Sequence, residues 1–261
     1  MRDSNGFRFP RLAFVCTVVI DVADAGASRL VAVRDEDPLR EWDHLGPWWP
    51  ERYPGVIGIR DRRAGGAWLA ADPAGHRLAV LLNRADVLDL PEEEVLSRGT
   101  LVLESVAGRS PEGTPRTHGF NLLEVTPDAA RVISWDGVIL RETPVSPGVH
   151  MIAHDDLDDA DTPRIATWLP RFRDLRPDAA GWPGAWVDLI AETAELPPED
   201  DRAIIRDNRV HGLPTLSLLY CTAAVSPDGI VLHDEALDRP GHWPGRTAGG
   251  EEPDPPGDAR S

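Results

Sequence analysis

Residues 14–37, FVCTVVIDVADAGASRLVAVRDED, set two apolar runs, FVCTVVIDV and RLVAV, on either side of ADAGAS, a turn-forming stretch that contains Gly26. Alternating apolar residues interrupted by glycine read as a β-hairpin. The same grammar recurs outward from it. GVIGIRD (55–61), AWLAADPAGHRLAVLLN (67–83) with its central DPAG, FNLLEVTPDAARVISWDGVILRE (120–142) and GVHMIAH (148–154) are strands separated by turn residues. A last pair, PTLSLLYCTAAVS (214–226) and IVLHDEAL (230–237), closes around PDG.

Helical signals lie between these blocks. LPEEEVLSRGTLVLESVAG (90–108) opens with proline and glutamates and ends at Gly108. DTPRIATWLPRFRDL (161–175) has Thr162 as a candidate cap and Pro170 as an interruption; GAWVDLIAETAEL (184–196) and PPEDDRAIIRD (197–207) complete the set. Strands, helix, strands, helices, strands in that order predict one layered α+β domain with at least one antiparallel sheet. From Asp238 to Ser261 the chain is rich in proline, glycine and charge, and a disordered tail is expected.

Of 261 residues, 44 are acidic and 27 basic, for a formal net charge of −17. The arginines are spread along the chain, which argues against nucleic acid, since phosphate neutralisation needs a clustered basic face. Two cysteines about two hundred positions apart give no metal spacing and no disulfide framework, so neither metal nor cofactor is expected. No apolar run approaches the roughly eighteen residues of a membrane span, and the opening lacks the apolar centre of a secretion signal. A soluble, cytoplasmic protein with a small-molecule substrate or ligand is the expectation.

Cys16 raises the chemical question. A cysteine in a strand is ordinarily a small hydrophobe. A catalytic cysteine here would have to become the first residue of the mature chain, so that its own α-amine, with an unperturbed pKa of about 8, serves as base. AVRDEDPLREWD (32–43) supports that reading: a strand delivers the Arg34 guanidinium and the Asp35 carboxylate at its end, one to lower the thiol pKa and the other to hold the amine, with Asp37 as a second acid.

With these residues in view, the chain resembles the NRDE family, also called the transport and Golgi organisation 2 family. CTVVIDV…RLVAVRDED, GIRDRRAGGAWLAADPAGHRLAVLLNR, LSRGTLVLE, GFNLLEV and PGVHMIAHDDLDDADTPRI follow its landmarks in order from about Cys16 to Arg164, with a weaker echo at HGLPTLSLLYCTAAVSPDG. The resemblance implies an αββα four-layer sandwich of the N-terminal nucleophile hydrolase type, two stacked antiparallel sheets with helices outside. It implies residues 1–15 as an N-terminal extension, 16–237 as a single domain and 238–261 as the tail. The extension is either a propeptide removed by self-cleavage or, the favoured route, a mis-called start upstream of a valine codon at position 15 that is read as methionine. It implies Cys16 as nucleophile, Arg34 and Asp35 as its partners, and Asn83 as oxyanion donor. Trp48, Trp49, Trp68, Asn121 and His154 are the candidate substrate-binding residues, although packing competes with binding for the tryptophans and for Asn121, as it does for Gly65 and Gly66. Three positions depart from the family pattern: Val33 and His154 replace asparagines, and Pro214 stands near an expected arginine. The implied activity is hydrolysis of a non-peptide amide. The alternative is a non-catalytic protein that binds or traffics a hydrophobic small molecule such as haem, for which there is no sequence support beyond scattered histidines such as His76, His118 and His154. HDDLDDAD (154–161) lacks the glycine and final glutamate of a calcium loop and reads as a solvated turn, and Cys221 reads as core.

Overall fold

In the computed structural model, which describes residues 16–175 and 181–244, the opening hairpin forms as expected. Strands β1 (Thr17–Val22) and β2 (Ser28–Glu36) pair antiparallel, Thr17 opposite Val33 and Asp21 opposite Arg29. Gly26 turns between them at φ +93°, a conformation that a side chain strains. Then come β3 (Trp42–Gly46), β4 (Ile57–Asp61), β5 (Ala67–Asp72), β6 (Arg77–Asn83), helix α1 (Gly99–Val106), β7 (Phe120–Val125), β8 (Ala130–Trp135), β9 (Leu140–Val145) and β10 (Gly148–Ile152). Helices α2 (Pro163–Asp174) and α3 (Gly184–Thr193) precede the final hairpin, β11 (Leu216–Ser226) and β12 (Gly229–Ala236).

Two antiparallel sheets result. The first has the order β10-β1-β2-β11-β12, and the second runs β3 to β9 in sequence. Strand period 2 assigns every side chain to a face. Val18, Ile20, Leu30 and Ala32 from the first sheet pack against Leu69, Val80, Leu82 and Leu123 of the second. Val19, Val31 and Val33 point the other way, onto Ile165, Trp168, Leu169 and Phe172 of α2 and Trp186, Leu189 and Ile190 of α3. The outer face of the second sheet, with Ala79, Leu81 and Leu122, is covered by Val102, Leu103 and Val106 of α1. Three apolar cores thus separate a helix layer, two sheets and a second helix layer. Buried positions recur at i, i+3, i+4 and i+7 in α2 and α3, the stripe that lets a helix lie on a sheet.

Two register shifts matter for the site. β11 pairs Ser217 with Asp35 and Leu219 with Arg34, leaving Leu218 as the extra residue of a bulge. β5 pairs Leu69 with Ile59 and Ala67 with Arg60, so Trp68 is extra there.

The helical segments depart from expectation in three places. Residues 90–108 do not form one helix: Glu92–Glu94 make a 3-10 turn, and α1 begins only at Gly99, whose backbone lies against Gly66. A Cβ on Gly66 would come within 2.5–2.8 Å of Gly99 backbone atoms, so close packing is what these glycines provide. Pro170 does not interrupt α2, because it lies on the exposed side, and Thr162 occupies the cap position while its hydroxyl donates to Asp159 instead. Residues 197–207 are not helical. Ala203 to Arg206 are buried in succession, unlike the one-sided stripes of α2 and α3, and Arg206 exchanges bonds with β11, its N–H donating to Ser217 Oγ (2.8 Å) and its carbonyl accepting from Ser217 N–H (2.9 Å). The strand β3 was not foreseen.

The expected disordered tail begins too early. Through residue 244 the chain is described: Leu237 N–H donates to Leu218 O, Gly241 N–H donates to Ser217 O, and Trp243 lies 5.0 Å from the Tyr220 ring. These bonds and the aromatic contact hold residues that composition alone assigned to solvent. Residues 245–261 and the expected extension 1–15 lie outside the described residues.

Candidate functional site

Cys16 immediately precedes β1, and at 5% exposure it shares the inter-sheet core with Val18 and Ile20. It also lines a cleft of about 600 Å³. Arg34, Asp35, Trp68 and Asn83 line the same cleft, so the sequence brought four of its candidate residues to Cys16. Residues not singled out complete the wall: Glu36 and Arg40 from β2 and the turn after it, Asp61 and Arg63 around the end of β4, and Arg98 just before α1.

Arg34 and Asp35 do not act as a pair. Arg34 shares the inter-sheet parity of Leu30 and Ala32, and at 2% exposure its Nη2 lies 3.4 Å from Glu36 Oε2, with its guanidinium 6.0 Å from the centre of the Trp68 ring. Asp35 takes the parity of Val31 and Val33, toward α2 and α3. Its Oδ1 accepts from Ser217 Oγ at 2.5 Å. Burial pushes its pKa up to about 6, against the Ser217 bond and the guanidiniums of Arg164 and Arg206, which favour the charged form. Arg164 is 2% exposed and donates to Thr17 Oγ1 at 3.1 Å; Arg206 is 1% exposed and donates to Asn208 Oδ1 at 2.9 Å. Ser217, Arg164 and Arg206 were missed. One signal was present: Arg164 falls one turn before Trp168 on the apolar stripe of α2, where a charge needs a partner.

The thiol is held in its protonated form. Cys16 Sγ donates a long bond of 3.8 Å to the Asp35 carbonyl oxygen, and its pKa is pushed up to about 12, by burial first and the Asp35 charge second. Arg34 opposes both, as expected, but burial outweighs it. Asn83 ends β6 with the parity of Ala79 and Leu81, so it reaches the cleft along the α1 side of its sheet, not from between the sheets.

The remaining candidates lie elsewhere. Asn121 is fully engaged in joining the sheets: its Nδ2 donates to Asp155 O (2.7 Å) and Ala153 O (3.4 Å), while its Oδ1 accepts from Ser134 Oγ (2.7 Å) and Arg84 (3.4 Å). His154 follows β10, with Nε2 at 3.3 Å from Asp155 Oδ2, and is not a cleft residue. Trp48 donates to His44 O and carries Arg60 over its ring at 4.7 Å; Trp49 donates to Gly65 O and packs on the α1 side. Both tryptophans pack over the second sheet and neither lines the cleft, because their indole N–H groups are tied to the backbone carbonyls of His44 in β3 and Gly65 in the β4–β5 turn. His118 is at the cleft, whereas His76 sits in the β5–β6 turn, and Cys221 is core.

Among the described residues, no group of three or more His, Cys, Asp or Glu side chains is placed to hold a metal ion, and no helix is long and apolar enough to cross a membrane. Comparison with protein-family models and with curated proteins found no match.

Proposed function

We propose that this protein is a cysteine N-terminal nucleophile hydrolase of the NRDE type, acting on a non-peptide amide once Cys16 is the first residue of the chain. The observation that carries the reading is the place of Cys16: it opens an interior strand of a helix–sheet–sheet–helix stack at the wall of a cleft that also holds Arg34 and Asn83. In the reaction, the α-amine takes the thiol proton as sulfur attacks the amide carbonyl, then passes it to the departing amine. Water attacks the resulting thioester, releases the acid and restores the thiol. Asn83, which reaches the cleft from the α1 side of its sheet, is not assigned the oxyanion role. Asp35, the acid that weighs most on the thiol, becomes the counter-ion of the new ammonium.

The thiol pKa of about 12 belongs to a chain in which Cys16 is acylated by Val15, and a free ammonium beside it lowers that value. The same observation favours a second reading, a non-catalytic binding protein, if residues 1–15 persist. The test compares the full chain with one beginning at Cys16 on a panel of acyl amides. Turnover in the short chain alone, abolished by Cys16→Ser, supports the hydrolase. No turnover in either, with saturable ligand binding that survives Cys16→Ser, leaves the binding protein.

A further inference from the structure

We propose that the cleft beside Cys16 takes its ligand through a carboxylate, received by the guanidiniums of Arg34 and Arg98. The inference deepens the hydrolase reading by naming the charged end of the substrate, but it is tested by equilibrium binding and needs no turnover.

The charge balance of the cleft carries the argument. Its wall holds Arg34, Arg40, Arg63 and Arg98 against Glu36, Asp61 and Glu92, because Asp35, though part of the wall, turns its carboxylate to Ser217 on the other face. Arg40 is taken by Asp61 at 2.6 Å and lies 3.9 Å from Glu36. Glu92 is exposed and faces His118 at 3.5 Å. Arg63 is exposed to solvent, which leaves Arg34 and Arg98 as the half-satisfied cations withdrawn from it. Arg34 has only the 3.4 Å contact to Glu36, and its buried Nη1 has no hydrogen-bond partner among the described residues. Arg98 gives one hydrogen bond, from Nη1 to the Gly119 carbonyl at 2.8 Å, and forms no ion pair among the described residues. Burial draws its pKa below the usual guanidinium value, the mark of a cation short of solvent.

A buried guanidinium that lacks acceptors is unfavourable unless something supplies them. A carboxylate supplies two in the plane that the guanidinium fork presents. Trp68, also on the wall, has a buried indole N–H without a partner among the described residues, a further donor on the Arg34 side. In a chain of net charge −17, a cleft whose wall sets four arginines against four acids, one of them, Asp35, bonded to Ser217 on the other face of β2, is less negative than the chain as a whole. Its volume of about 600 Å³ suits a small organic acid.

The test uses the full chain and three probes, phenylacetate, 4-phenylbutyrate and N-acetylphenylalanine, each titrated against its primary carboxamide by calorimetry or ligand-observed NMR. At least one acid is expected to bind about tenfold more tightly than its amide, which is one charge-assisted interaction retained at a partly desolvated site. Arg98→Gln brings that ratio to within about threefold of unity, Arg34→Lys lowers it several-fold by losing the fork, and Arg171→Gln, the same charge change on the outer side of α2, leaves it alone. Added salt weakens the acid and spares the amide. The proposal is overturned if acids and amides bind alike, if none binds at millimolar concentration, or if the ratio survives both Arg98→Gln and Arg34→Lys. Acid-selective binding without hydrolysis by the chain beginning at Cys16 keeps this proposal and removes the catalytic one.

Discussion

On the inter-sheet side of β2, Arg34 has a glutamate at 3.4 Å and a tryptophan ring at 6.0 Å. One residue later, on the opposite side, Asp35 has a serine hydroxyl at 2.5 Å and two buried guanidiniums acting on its charge. The first environment leaves donors unfilled at a cleft; the second lies away from the cleft lumen, where Ser217 fills one oxygen of Asp35 and the other, Oδ2, has no hydrogen-bond partner among the described residues. Two charges adjacent in the chain therefore have different surroundings: Arg34 faces the inter-sheet side of the cleft, and Asp35 faces Ser217 with the charges of Arg164 and Arg206 acting on it. The alternation of a strand, not proximity in sequence, made the division.

The thiol offers the widest test of that division, because Cys16 lies on the Arg34 face yet donates to the Asp35 backbone. In the full chain at pH 8, with a thiol pKa of about 12 in place of roughly 8.5, alkylation of Cys16 by iodoacetamide is expected about a thousandfold more slowly than that of an exposed cysteine. Rapid labelling, read by mass spectrometry, would mean that Arg34 and not burial governs the sulfur.

Removing each side chain in turn compares the faces directly. Asp35→Ala leaves the buried Ser217 hydroxyl without its acceptor and removes the charge that acts on Arg164 and Arg206, and urea unfolding is expected to show a loss of about 2–3 kcal/mol. Arg34→Met removes a buried charge and leaves only Glu36, which reaches solvent, so the loss is about 1 kcal/mol or less. Equal losses would erase the contrast.

Acidity gives a third handle. The folded pKa of Asp35, about 6, lies above its ordinary 3.8, so between those values the folded state holds a proton that the unfolded state has released. The contribution of this residue is therefore greatest below pH 4 and is lost as pH rises through about 6. Relative to Asp35→Asn, the wild type is expected to lose about 2 kcal/mol of stability between pH 4 and pH 6. A flat difference would show that the guanidiniums fully offset the burial.

The smallest effect sharpens the cleft side. Gly66→Ala forces apart the contact with Gly99 that holds the start of α1, next to Arg98, against β5. A loss of about 1–2 kcal/mol in thermal or urea unfolding is expected, from overpacking against backbone. An unchanged melting curve would mean that the helix start moves freely and that the position of Arg98 is not fixed by this contact.

The hairpins were legible because each alternating run ends in turn chemistry: Gly26, DPAG and PDG mark where the strands reverse. The layering was legible through the resemblance and through the apolar stripes of α2 and α3. Residues 197–207 were not, since prolines and acids at the front of AIIRD imitate a helix start while the bonds that decide the matter come from β11, ten residues on. For the site, Cys16, Arg34, Asp35, Trp68 and Asn83 could be marked as candidates, because motif order brings strand ends together. Asn121 and His154 could not be told from binding groups, because polar side chains that bridge two sheets, as Asn121 does, or meet a neighbouring carboxylate, as His154 does, look like polar side chains that meet a substrate. Ser217 was hidden by its own strand: read at period 2 it shares a face with Leu219, and only the bulge turns it to Asp35.

Beyond that bulge, the edge of β11 that had paired with β12 runs out of strand, and the segment after β12 takes over as a makeshift rung. Leu237 N–H meets Leu218 O at 2.8 Å, and Gly241 N–H meets Ser217 O at 2.7 Å. Ser217 is thereby gripped from two directions, by its side chain at the buried acid and by its main chain at a stretch more than twenty residues downstream. Cutting the chain back to Asp238 would remove the second grip without touching a single cleft residue, and the slackening would be felt first at Asp35. The far end of the domain is in this sense a splint for its chemistry.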